Sequence, residues 1–76
     1  MESKVEMAFR HVVQGRRLVA RQRHLVERLA LNGCNTTNAK QLLDLFVRTL
    51  NIFEDDLRRL LESNLDASLG EGHELR

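Results

Sequence analysis

The sequence predicts an all-α fold: an antiparallel two-helix hairpin, packed like a coiled coil, that dimerises into a four-helix bundle. The first observation is a stripe of valines at every seventh position: Val5, Val12, Val19 and Val26. The second is a stripe of leucines at the same spacing: Leu43, Leu50 and Leu57. A stripe with this period lies on one side of a helix and has to be buried. The third observation is a single Gly-containing break between the stripes, which predicts two helices joined by a short turn.

The first helix is predicted over about residues 4–31. Ser3 is its predicted N-cap, with Glu6 three residues later as the second residue of a capping box. Gly33 is predicted to end the helix, because glycine readily adopts the left-handed conformation of the C′ position. The turn is placed at 32–36, and either Asn35 or Thr36 is predicted to cap the second helix.

The second helix is predicted over about residues 37–62, or as far as 69 if the leucine spacing is followed to its end. Gly70 and Gly72 are predicted to stop it, which leaves a hairpin domain over 1–69 and a flexible tail over 70–76. So short a connection makes the helices antiparallel. Counting outward from the turn places Gly15 opposite Leu50 and Phe53. It also places Ala8 opposite residues 57–60, and Gln22 opposite residues 43–46.

Length and composition limit how the fold is stabilised. The chain has 76 residues and one cysteine, which allows a single domain and excludes an internal disulfide. So small a domain usually needs a second subunit, a metal or a disulfide. The N-terminal residues contain no apolar run resembling a signal peptide, and no segment is apolar enough to span a bilayer. The sequence therefore predicts a cytoplasmic protein stabilised by self-association.

More apolar side chains are present than one hairpin can bury. Seven of them flank the predicted seam and form the candidate dimer interface: Phe9, Val13, Leu18, Leu25, Leu42, Val47 and Leu61. An exposed apolar surface of that extent is unusual for a monomer. The expected partner is a second copy related by two-fold symmetry. A different chain filling the same place remains the alternative.

A row of basic residues follows the outer side of the first helix. Its members recur at spacings of seven, four, three and four: Arg10, Arg17, Arg21, His24 and Arg28. This basic stripe could neutralise phosphates of a nucleic acid or meet an acidic partner. The common alternative is a solvated helix face. Glu27 interrupts the stripe, and no aromatic residue is interleaved for base stacking.

The sequence contains no pattern that predicts catalysis. His11 and Gly15 form an H-x-x-x-G pattern, but the lysine expected before the glycine in a phosphotransfer domain is missing, so His11 is placed at the rim of the seam. Cys34 is predicted to be an exposed turn residue. No catalytic, metal-binding or cofactor-binding residues are expected, and no small-molecule substrate or membrane contact. The predicted function is a non-enzymatic interaction or regulatory module that binds another macromolecule, with nucleic-acid binding through the basic stripe as the alternative.

Part of the sequence resembles a known set of proteins. The matching positions are His11-Val12, Gly15, Arg21-Gln22, Leu25-Val26, Leu29, Gly33, Asn35-Thr36, Ala39, Leu42-Leu43, Phe46, Thr49-Leu50 and Leu57. They resemble short helical-hairpin proteins common in rhizobia and related alphaproteobacteria, which have no assigned activity. The resemblance covers about residues 10–61 and implies a bacterial source and a helical hairpin. Cys34 stands where that family often has histidine. In architecture the chain is also similar to Rop-type plasmid copy-number proteins, dimeric hairpins that bind RNA through their first helix.

Overall fold

The fold is an all-α helical hairpin, as the sequence predicts. The computed structural model describes the backbone of residues 1–74 and the side chains of residues 1–65. Helix α1 spans Lys4–Leu31 and helix α2 spans Thr37–Glu74, and the two pack against each other. The bounds predicted for the first helix and the start predicted for the second are confirmed.

Local hydrogen bonds define both ends of α1. The Ser3 hydroxyl accepts from the backbone N–H of Glu6 at 3.1 Å, which confirms Ser3 as the N-cap of α1. At the other end Gly33 has a φ of +70°, its N–H donates to Ala30, and the N–H of Cys34 donates to Leu29 at 2.9 Å. This pair of bonds is a Schellman motif, which needs a left-handed residue at the position of Gly33.

The start of α2 uses both predicted caps. The backbone carbonyl of Thr36 accepts the first helical bond, from Lys40 at 2.8 Å. The side chain of Asn35 accepts from the N–H of Thr37 at 2.9 Å. Thr36 therefore supplies the backbone of the N-cap, and Asn35 supplies the capping oxygen. Both residues that the sequence offered as caps take part.

Helix α2 is longer than predicted. Its backbone is helical to Glu74, past the expected end at Gly70 and past Gly72. A glycine inside a helix costs about 1 kcal/mol relative to alanine, which weakens a helix without ending it, and the chain contains no proline. The predicted tail over 70–76 thus begins as helix over 70–74. Its last two residues and its side chains lie outside the described residues.

The seam between the helices is narrow and closely packed. Its buried residues all belong to one stripe of α1: Ala8, Val12, Gly15, Val19 and Gln22. A Cβ atom added to Gly15 would lie 3.1 Å from Cδ1 of Leu50 and 3.6 Å from Cδ2 of Phe53. The predicted pairing of Gly15 with these two residues is therefore confirmed. The glycine allows the helices to approach closely at this level, at a cost of roughly 0.5–1 kcal/mol in helix stability.

The hairpin is a single layer of helices. Its Cα atoms extend over 67 × 21 × 14 Å. Among the described side chains no large one is fully buried, because the seam covers each helix on one side only. Domains normally consist of at least two packed layers around a core, so this hairpin has two broad flanks without a covering layer.

Candidate interaction faces

The seam divides the surface of the hairpin into two flanks. Each stripe residue is preceded in the sequence by one residue that lies beside the seam. In an antiparallel pair, these preceding residues of α1 and of α2 lie on the same side of the seam. Two grooves agree with this division. One, of about 240 Å³, joins Met7 and His11 to Asp56. The other, of about 360 Å³, joins Arg16 to Glu54 and Leu61 on the opposite side.

The first flank carries an apolar surface near the turn, which we call the leucine face. It contains Leu18, Leu25, Leu42, Leu45, Thr49 and Ile52. On α2 its members follow one another at spacings of three, four and three, which keeps them on one side of the helix. Leu45 is 55% exposed and Ile52 is 60% exposed, values far above those of core residues. The hydroxyl of Thr49 donates to the carbonyl of Leu45 at 2.9 Å, so its polar group is satisfied within its own helix.

The second flank carries an ion pair across the seam, and we call it the salt-bridged face. The guanidinium of Arg16 donates to a carboxylate oxygen of Glu54 at 2.9 Å. Phe9 and Leu61 lie beyond this pair, towards the open end of the hairpin, and are 59% and 51% exposed. Val47 lies on the turn side of the pair and is half-buried. The apolar residues of this flank are therefore separated by charge.

The predicted dimer interface falls on both flanks. Leu18, Leu25 and Leu42 lie on the leucine face. The other four predicted residues lie on the salt-bridged face: Phe9, Val13, Val47 and Leu61. One partner layer can cover one flank, so the seven do not form one surface. Sequence reasoning grouped them by hydrophobicity, whereas assigning each residue to the position before or after its stripe would have separated them.

The predicted basic stripe lies on α1, and all five of its members are exposed. Arg10 is paired with Glu2 at 2.9 Å, an ion pair that the sequence analysis missed. Arg17 and Arg21 lie beside Leu18 at the edge of the leucine face. Within the side chains of residues 1–65, Arg17, Arg21 and Arg28 form no ion pair.

The acidic residues of α2 pair mainly within their own helix. Asp55 accepts hydrogen bonds from Arg58 and Arg59, and these bonds lower the pKa of the Asp55 carboxyl. The same contacts raise the pKa of both arginines. A further pair joins Asp44 to Arg48 at 2.8 Å. One acidic residue of α2 reaches α1: Glu54 pairs with Arg16.

Three polar side chains that the sequence singled out have defined surroundings. Gln22 is buried in the seam, and its Nε2 donates to the carbonyl oxygen of Ala39 at 3.0 Å. The imidazole of His11 lies 5.1 Å from the ring of Phe53, measured between ring centroids, which places it at the rim of the seam as predicted. Cys34 is exposed in the turn, also as predicted.

Two general kinds of site are absent from the described residues. No three His, Cys, Asp or Glu side chains of residues 1–65 are grouped closely enough to hold a metal ion. Over the described part of the chain, neither helix combines the length and the apolar character that crossing a membrane requires. The sequence matches no protein-family model, and no curated protein or solved structure matches it significantly.

Proposed function

We propose that this protein is a non-enzymatic interaction module that binds another macromolecule through the leucine face. The observation that carries the proposal is the exposure of this face on a fold that is one helix layer thick. Leucine and isoleucine side chains in contiguous rows gain free energy when another surface removes them from water, about 25 cal/mol per Å² of apolar area. The face is also too flat and too open to surround a small substrate, since such sites are concave.

Site-specific photo-crosslinking in the cells that produce the protein tests this proposal. A photoreactive phenylalanine analogue at Ile52 places the reactive group on the leucine face. The matched control is the same analogue at Asn51, which is exposed and lies about 100° around α2 from Ile52, away from the leucine face. We expect macromolecular adducts from position 52 and few or none from position 51. Equal yields at both positions, or none at position 52, would contradict the proposal.

A second candidate function is nucleic-acid binding through the basic stripe. The observation in its favour is the row of Arg17, Arg21 and Arg28, three exposed guanidinium groups without ion pairs among the described side chains. Replacing all three with glutamine should weaken binding to RNA or DNA. It should also reduce the dependence of the logarithm of the binding constant on that of salt, by about 0.7–0.9 per arginine.

The matched control for this second test is the replacement of Arg58 and Arg59, which are already paired with Asp55. Fluorescence anisotropy with a labelled oligonucleotide at several salt concentrations gives both the affinity and the salt slope. An unchanged slope in the triple variant, or no binding by the unaltered protein, excludes the stripe as a nucleic-acid site.

A further inference from the structure

We propose that the leucine face is covered by a second copy of this chain, with the two hairpin turns at the same end of the resulting four-helix bundle. This inference rests on the proposed function, because it names the partner of the same face. In this arrangement the two-fold axis runs along the bundle, and α1 of each copy lies beside α2 of the other.

The isolated chain exposes more surface than a compact monomer of the same mass, and a dimer would reduce this exposure. The accessible surface is 6310 Å². A compact monomer of this mass, 8.8 kDa, has about 4,800 Å². The excess of about 1,500 Å² per chain reflects the elongated, single-layer shape. Permanent homodimers bury about 2,000–5,000 Å² in total, so surface on this scale is what a second hairpin would cover. A second hairpin is therefore a partner of the right size.

The choice of flank follows from the ion pair. Covering the salt-bridged face would place Arg16 and Glu54 under a partner, where the loss of hydration opposes binding. The leucine face has no charged side chain directly above the seam near the turn. Arg21 and Arg28 lie at its edge, where a long side chain can keep its charged end in water. The charged Lys4 and Asp56 of the same flank lie at the open end of the hairpin, away from the leucine face.

The orientation follows from the charges of the two halves. Residues 1–31 carry seven Lys/Arg and three Asp/Glu, a net charge of +4. Residues 32–65 carry four Lys/Arg and five Asp/Glu, a net charge of −1. With the turns at the same end, every pair of neighbouring helices in the bundle joins a basic α1 to an acidic α2. With the turns at opposite ends, α1 lies against α1 and α2 against α2, so the two basic α1 helices face each other across the new interface.

The single cysteine allows this orientation to be measured in the chain without any substitution. Cys34 is exposed in the turn, so a nitroxide attached there reports the distance between the two turns. Helices in contact lie about 8–10 Å apart, which predicts about 10–20 Å between turns at the same end. With a rise of about 1.5 Å per residue, turns at opposite ends would be about 40 Å apart.

The experiment combines light scattering after size exclusion with dipolar electron paramagnetic resonance of the labelled protein. We expect the mass of a dimer and an inter-spin distance of about 10–20 Å. We also expect added NaCl to weaken association, because opposite charges attract across the interface. A distance near 40 Å overturns the orientation.

A monomer at all concentrations overturns the second copy as the occupant. The adducts formed at Ile52 then still test the proposed function, because a different protein can occupy the same face. The failure of this inference and the failure of the proposed function are therefore told apart by which of the two measurements is negative.

Discussion

The two flanks of this hairpin share one seam and differ in what lies directly above it. On the leucine face the side chains over the seam near the turn are apolar, with Leu25 on α1 and Leu42 on α2. On the other flank the pair of Arg16 and Glu54 spans the seam, farther from the turn. An apolar pair gains free energy when it is covered, whereas a solvated ion pair loses its hydration. One ion pair is therefore enough to make two flanks of similar hydrophobic content unequal as binding surfaces.

This inequality also leaves a second apolar region available. If the leucine face is covered, Phe9 and Leu61 remain on the outer side of the bundle, beyond the ion pair. They are large and exposed, but Arg16 and Glu54 separate them from Val47. The region they form is small, and single exposed apolar residues are common on protein surfaces. The comparison thus predicts one dominant interface rather than two equivalent ones.

The largest expected effect comes from a matched pair of substitutions that break this asymmetry. Leu45→Glu puts a carboxylate on the leucine face, and Leu61→Glu puts one on the salt-bridged face; the two leucines are 55% and 51% exposed. Each dimer would bury two of the first carboxylates, so we expect association to weaken by about 100-fold or more, with little change for Leu61→Glu. Sedimentation equilibrium measures both, and circular dichroism verifies that both variants remain helical.

If Leu61→Glu dissociated the protein and Leu45→Glu did not, the assignment of the flanks would be reversed. If both variants associated like the unaltered chain, neither flank would be the self-association surface. The comparison is informative because both positions lie on α2 and start from nearly equal exposure, so a difference between the variants reports the flank and not the substitution.

The sequence alone was sufficient for the hairpin and its pairing. The heptad stripes predicted the seam, Gly33 predicted the turn, and counting from the turn placed Gly15 against Leu50 and Phe53. These predictions succeed because burial of a stripe and the left-handed conformation of a glycine are strong local constraints. The end of α2 was wrong because one glycine weakens a helix without ending it.

The flanks could not be assigned as readily from the sequence. Leu18 and Val13 look equivalent in a list of apolar residues near the stripe, and they separate only when each is assigned to the position before or after its stripe residue. The ion pairs were harder still, because whether Arg16 reaches Glu54 depends on how the two helices are aligned along the seam. The hydrogen bond from Gln22 to the carbonyl oxygen of Ala39 was likewise not predicted.

The smallest expected effect concerns the ion pair of the salt-bridged face. The side chains of Arg16 and Glu54 are 66% and 38% exposed, so we expect their coupling to contribute only about 0.2–1 kcal/mol to the free energy of unfolding. A double-mutant cycle of Arg16→Gln and Glu54→Gln, measured by urea denaturation at fixed protein concentration, gives this value. Added salt should reduce it further, because an exposed pair is screened.

If the salt-bridged face were covered by a partner, removing one member would leave a buried charge and cost about 3–5 kcal/mol. A small, salt-sensitive coupling therefore places this flank in water and leaves the leucine face as the surface that a second copy can cover.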